Sequence, residues 1–158
     1  MKVLITGATG KLGCELCKEA SAEGDVTGLA RGNRETKPCH ASEILAADII
    51  DRDRVIRIVR DFKPGIVINS AAIADVDFCE LNPEQAFAVN AEGAKNVADA
   101  AAAAGALLIH ISTDYVFDGE KGSAYTEEDR PNPVRVYGDS KLAAEDYIRS
   151  SSGRYIII

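Results

Sequence analysis

A tyrosine and a lysine four residues apart, in Tyr137-Gly138-Asp139-Ser140-Lys141, share one face where a helix begins. An ordinary phenol, with a pKa near 10, is a slow proton donor at neutral pH. Moving it to about 7 takes roughly 4 kcal/mol. A positive charge about 5 Å away supplies roughly 3 kcal/mol at an effective dielectric of ~20, so Lys141 is expected to do most of that work. The same spacing arises by accident on surface helices, and its meaning depends on what stands nearby. Upstream runs Ser112-Thr113-Asp114-Tyr115-Val116-Phe117-Asp118-Gly119, directly after an apolar stretch. Thr113 is expected to hold a substrate carbonyl oxygen beside Tyr137. Ser112 fits a turn-forming role as well, and Asp114 either contacts substrate or orders the loop. The chemistry these groups suit is protonation of a carbonyl oxygen.

A second constellation lies at the start of the chain. Thr6-Gly7-Ala8-Thr9-Gly10-Lys11-Leu12-Gly13 places glycines at 7, 10 and 13 between a strand-like run and a helical one. Glycines there allow a tight turn, close approach of backbone to a pyrophosphate, and tight helix–strand packing, with the helix N-terminus facing the phosphates. Dinucleotide sites that hold a ribose 2′-hydroxyl place an acid about 20 residues further on. Here the position is Ala30, followed by Arg31, with Arg34 close behind. Guanidinium groups without a carboxylate favour a 2′-phosphate, so NADP(H) is preferred over NAD(H); solvated loop charges are the plain alternative. Asp48 and Ile49 are placed to meet the adenine, and Ala71-Ala72-Ile73 is small enough for backbone to approach the cofactor.

The elements that must position these groups alternate. Apolar runs at Lys2–Thr6, Asp25–Ala30, Glu43–Ala47, Ile66–Asn69, Leu107–Ile111 and Tyr155–Ile158 read as strands. Helical spacing marks Lys11–Ala22, Arg52–Phe62, Pro83–Val89 continuing through Ala91–Ala104, and Asp139–Arg149. All-apolar strands such as Ile66-Val67-Ile68-Asn69 are the kind buried on both faces. The fold class expected is α/β, a Rossmann-type doubly wound parallel sheet in three αβα layers. An apolar last strand leaves a sticky edge unless something covers it. The chain is therefore expected to be the first part of a longer protein, an intact small domain being the alternative.

Composition narrows the classes. With 158 residues there is room for about one domain with a real core. A 46% hydrophobic content argues against disorder. Acidic residues outnumber basic ones 25 to 18, the wrong field for nucleic acid. No apolar run approaches the ~20 residues that span a bilayer, and the N-terminus lacks a secretion signal, so no membrane partner and a cytoplasmic location are expected. Cys14-x-x-Cys17 and Cys39-His40 invite a metal reading, but no second C-x-x-C exists and no metal is expected. Cys14 and Cys17 fit better as small packing residues on one helical face.

Taken together, Thr6–Gly13, Asn69–Ala72, Ser112–Gly119 and Tyr137–Lys141 resemble the extended short-chain dehydrogenase/reductases. Ser112–Gly119, Tyr125-Thr126-Glu127-Glu128-Asp129 and Pro133-Val134-Arg135-Val136-Tyr137-Gly138 narrow the resemblance to the dTDP-4-dehydrorhamnose reductase family. The resemblance covers residues 1–158 and implies an NADP-binding Rossmann domain that carries the catalytic residues, within a protein of roughly 280–300 residues whose substrate domain lies beyond Ile158. It implies Thr113, Tyr137 and Lys141 as catalytic residues, with Thr113, Asp114 and Tyr137 against the substrate. Cofactor contacts would fall on Gly10, Lys11 and Leu12, on the Ala30–Arg31 corner, on Asp48, Ile49 and Ala71–Ala74, and on Tyr137 and Lys141, with Asn90 steadying the active-site backbone. The implied activity is NADPH-dependent reduction of a nucleotide-linked 4-keto-6-deoxy sugar, in a homodimer. Two alternatives share the motifs: an NADP-binding regulatory subunit like the methionine adenosyltransferase beta subunit, and a sugar-nucleotide epimerase or dehydratase. Ala30 with Arg31 argues against the last.

Overall fold

The computed structural model describes residues 1–32 and 40–158; Arg34 and Cys39 lie outside them. Six strands form one sheet: β1 (Lys2–Thr6), β2 (Asp25–Ala30), β3 (Glu43–Ala46), β4 (Ile66–Asn69), β5 (Leu107–His110) and β6 (Arg154–Ile157). Their order is β3-β2-β1-β4-β5-β6, and every pairing is parallel. The order reverses between β1 and β4, and a crevice at the carboxyl ends follows from that switch. The expected Rossmann-type sheet is what forms.

The helices are α1 (Lys11–Ser21), α2 (Arg52–Phe62), α3 (Val76–Leu81), α4 (Pro83–Phe87), α5 (Ala94–Ala103) and α6 (Val136–Ser150). Asp51 starts α2 by accepting a hydrogen bond from the Arg54 amide at 3.0 Å, and Lys63 ends it in the left-handed region at φ 54°. Two stretches depart from the sequence expectation. Asp75 caps α3 through the Phe78 amide at 2.9 Å, a short helix that six residues of pattern do not announce. The run from Pro83 is not continuous either, because Ala88–Gly93 forms a π-helical turn between α4 and α5.

Alternation along the strands divides the core. Leu4, Leu29, Val67 and Leu108 point to one face, where they pack with Val55 and Val59 of α2, Val97 of α5 and Ile148 of α6. Val3, Ile5 and Val26 point to the other, against Cys17 of α1. Cys17 thus packs as a small apolar residue, while Cys14 beside it is half-buried. On α1's face the register runs Ile5, Ile68, Ile109, Ile156 across β1, β4, β5 and β6. Exposure rises along that row, from 0% at Ile5 to 46% at Ile156. The expectation that β4 is buried on both faces is therefore corrected: Val67 and Asn69 are buried, but Ile66 and Ile68 only half-buried. The strand has the apolar composition of a two-sided core, but α1 packs over β1 and β2 and leaves this end of its face less covered. Among the described residues no helix is long and apolar enough to cross a membrane.

Candidate functional site

A cleft opens at the carboxyl ends of β1, β2 and β4. Of the residues expected to meet a cofactor, Gly7, Thr9, Gly10, Ala30, Arg31, Asp48, Ile49, Ala71 and Ala72 line it. Lys11, Leu12, Gly13 and Ile73 are not among its lining residues, and neither are Tyr137 and Lys141. Leu29, Ala47, Ser70 and Val89 line it without having been singled out.

Backbone makes this cleft. Gly7 sits at φ +68°, and a Cβ there would lie 2.9 Å from the Ala71 amide nitrogen. The turn is closed by the Gly10 amide donating to the Gly7 carbonyl at 2.8 Å. Gly13, although outside the lining, decides how closely α1 approaches: a Cβ on it would stand 2.1 Å from the Gly7 oxygen. Gly10, the N-cap of α1, lines the crevice, so the helix N-terminus stands at its wall, an arrangement that attracts anions. On the far wall, Asp48 accepts from the Ile50 amide at 3.2 Å. Asn96 of α5 holds the same corner by donating to the Ile49 carbonyl at 3.0 Å, a buried polar role that the alanine-rich helix conceals in sequence.

Thr113, Tyr137 and Lys141 converge beyond β5. Thr113 follows the strand in extended backbone and caps a 3-10 turn (Asp114–Val116), its hydroxyl accepting from the Tyr115 amide at 3.2 Å. That hydroxyl is close enough to the Tyr137 phenol to pull its pKa downward. Asp114 is exposed and accepts from Thr113 Oγ1 at 3.3 Å, so it takes part in ordering the loop. Tyr137 lies in the first turn of α6, 9% exposed, its ring edge-on to Tyr115 at 5.6 Å. Gly138 permits the approach, since a Cβ there would be 2.2 Å from the Tyr115 carbonyl oxygen.

Lys141 follows Tyr137 by one turn on the same helix, and its side chain runs inward toward β5. Its side chain is 2% exposed, and Nζ donates to the Ile111 carbonyl and lies 3.3 Å from His110 Nε2. Burial pushes the lysine down to about 8, against the pull of Glu145. The Tyr137 phenol is shifted up rather than down: burial is the largest cause, opposed by the Thr113 hydroxyl. Lys141 is not among the groups that shift the phenol, and its Nζ is bound to the Ile111 carbonyl.

The surrounding polar groups were largely missed in sequence. Asn90, in the π-helical turn, accepts from the Ile73 amide at 2.7 Å and donates to the Ile73 carbonyl and to Ser140 Oγ, both at 3.0 Å. It thus ties the segment after β4 to the helix of Tyr137, which is the backbone-steadying position the resemblance implied. His110, Asn69 and Thr6 are buried at the carboxyl ends of β5, β4 and β1. The available signal was a polar residue ending each apolar strand. Among the described residues no group of His, Cys, Asp and Glu could hold a metal ion.

Comparison with known proteins gives a consistent picture. A family model described as RmlD substrate binding domain matches residues 1–158. The dTDP-4-dehydrorhamnose reductase of Sinorhizobium fredii is 37% identical over 158 residues, which is all of this chain and 49% of that protein. The bovine (Bos taurus) methionine adenosyltransferase 2 subunit beta is 40% identical over 144 residues, 91% of this chain and 41% of that one. Among solved structures, dTDP-4-dehydrorhamnose reductase from Bacillus anthracis in complex with NADP superposes with a TM-score of 0.81 at 34% identity, covering 99% of this chain and 51% of its own. The chain spans about half the length of the curated relatives it matches.

Proposed function

This chain belongs to the RmlD substrate binding domain family, and we propose that residues 1–158 form an NADP(H)-binding domain that carries the catalytic groups of a nucleotide-sugar reductase. The observation that carries the proposal is the packing of Tyr137 against the turn that Thr113 caps, at the carboxyl end of the sheet that also forms the glycine-turn cleft. The cleft fits a dinucleotide: the space a Cβ on Gly7 would fill lies against Ala71, and α1 presents its N-terminus. Arg31 stands in the lining where an acid would meet a 2′-hydroxyl, which supports the phosphate-bearing cofactor. NADP is also the ligand named for the B. anthracis relative.

NADPH, when bound, supplies hydride to a ketone carbon. Thr113 orients the ketone oxygen through its hydroxyl. Tyr137, kept protonated by its burial, gives that oxygen its proton. Lys141 stands one turn along α6, and the Ile111 carbonyl holds its Nζ at the end of β5. The substrate class proposed is a nucleotide-linked 4-keto-6-deoxy sugar, the class to which the relatives' name points. Mixing the protein with NADPH and dTDP-4-keto-6-deoxyhexose should consume the reduced-nicotinamide absorbance. No loss with any such sugar, despite NADPH binding, would overturn the reductase assignment.

One observation favours a second reading: the 40% identity to the bovine regulatory subunit. A regulatory role predicts NADPH binding without keto-sugar turnover, together with co-purification of a methionine adenosyltransferase.

A further inference from the structure

Three buried polar residues on adjacent strands make a continuous chain. Thr6, Asn69 and His110 are lateral neighbours in the register of β1, β4 and β5. Thr6 and His110 are 0% exposed and Asn69 is 1% exposed. The Ala71 amide donates to Thr6 Oγ1 at 3.2 Å, and Thr6 Oγ1 donates to Asn69 Oδ1 at 2.6 Å. Asn69 Nδ2 faces His110 Nδ1 at 3.0 Å, and His110 Nε2 faces Lys141 Nζ at 3.3 Å.

The direction of this chain is fixed at its Thr6 end. With the Asn69 amide turned over, Thr6 Oγ1 would receive hydrogen bonds from both Ala71 and Asn69. Its own proton would then have no acceptor among the described residues, a costly arrangement for a fully buried hydroxyl. Asn69 Nδ2 must therefore donate to His110 Nδ1. A neutral imidazole that accepts at Nδ1 carries its proton on Nε2. That N–H points at the lysine nitrogen.

Resting on the reductase reading above, we infer that His110 is a positioning residue for Lys141: anchored by Asn69 and Thr6 as the Nε2–H tautomer, it donates to Nζ and directs the lysine's own protons away, one of them to Ile111 O. An ammonium opposite that N–H is disfavoured and a neutral amine is welcomed. Lys141 therefore surrenders its proton more readily than burial alone would dictate. The other titratable groups in this neighbourhood are Glu145, on the lysine's own helix and bonded to Ser112 and Arg149, and Tyr137 one turn back, which faces Thr113, Asp114, Tyr115 and Cys79. None of them supplies a partner to His110.

Two-bond proton–nitrogen NMR correlations of the imidazoles test this directly, without turnover. The chain has two histidines, so His40→Gln assigns the spectrum. His110 should show the neutral Nε2–H pattern from about pH 5 to 8, across the range in which an ordinary histidine takes up its proton. Asn69→Asp, which can only accept, should switch it to the Nδ1–H form. The same variant should move the alkaline limb of the keto-sugar reduction profile upward by about one unit, roughly tenfold in relative rate at high pH, where a structural defect would lower the rate equally at every pH. If Asn69→Asp does not fold, Thr6→Val serves, and a mixture of the two tautomers is expected. A wild-type Nδ1–H or imidazolium spectrum, or Asn69→Asp and Thr6→Val spectra unchanged from wild type, would overturn the inference. Failure of the reductase reading looks different: no NADPH consumption, with the tautomer still as stated.

Discussion

At the glycine turn the molecule offers backbone, and at the end of β5 it offers side chains. The cleft beside β1 is shaped by Gly7, Gly13 and the small residues Ala71 and Ala72, with two charged groups, Arg31 and Asp48, in its lining. The Thr113–Tyr137–Lys141 region is assembled from β5, the 3-10 turn, the π-helical turn and α6, through hydrogen bonds spanning up to 50 residues of sequence. A backbone-made site tolerates change in most side chains but fails when a Cβ intrudes. A side-chain-made site keeps its shape when one polar group is lost, yet loses its chemistry. Substitutions in the two regions should therefore separate binding from turnover.

The largest effect is expected at Tyr137. Replacing it with Phe removes the proposed proton donor and should lower keto-sugar reduction by roughly 10³-fold while NADPH affinity changes little. Gly13→Val is the counterpart at the cleft. Its new side chain would meet the Gly7 carbonyl, and stability should fall by about 3 kcal/mol or more in chemical denaturation, with NADPH binding lost along with it. Arg31→Ala should be milder: about 10- to 100-fold weaker NADPH binding by calorimetry with NADH binding nearly unchanged, as expected for one charge-assisted contact. Equal losses for both nucleotides would mean that Arg31 does not read the 2′-phosphate.

A smaller effect is a pH dependence confined to the side-chain region. Burial, reinforced by the Lys141 charge, pushes His110 down to about 3. Its folded pKa lies below its unfolded one, so its contribution to stability is complete above the ordinary histidine pKa. That contribution is lost as pH falls from about 6.5 toward about 3, where the unfolded chain binds the proton first. His110→Gln should flatten the acid limb of stability over that window in urea titrations, and an unchanged limb would assign it to carboxylates instead. Lys141, lowered to about 8, carries the same sign at higher pH: its share of stability falls as pH drops from about 10.5 to about 8.

The same contrast explains what could be read from the sequence. The glycine corner, the strand–helix alternation and several members of the cleft wall are local or periodic signals, and Gly7, Arg31, Asp48 and Ala71 stand where the spacing put them. The Tyr137–Lys141 spacing located the helix face, but not the fact that Lys141 turns under it toward His110. That outcome depends on a partner 31 residues away on another strand, and no local pattern carries it. Asn96 was hidden for a related reason, because its partner carbonyl at Ile49 lies on a different element. The shallow cover over Ile66 and Ile68 was missed because strand composition reports apolarity, not which helix arrives to bury it.

The most direct test pairs two readings on one variant. Tyr137→Phe and wild type are titrated with NADPH by calorimetry and then assayed with NADPH and dTDP-4-keto-6-deoxyhexose at the reduced-nicotinamide absorbance. Similar NADPH affinity in both proteins, with absorbance loss in wild type alone, is the result predicted here. Equal turnover by the two proteins, or an NADPH affinity that disappears with the phenol, would contradict a division between a backbone-built cofactor cleft and a side-chain-built proton donor.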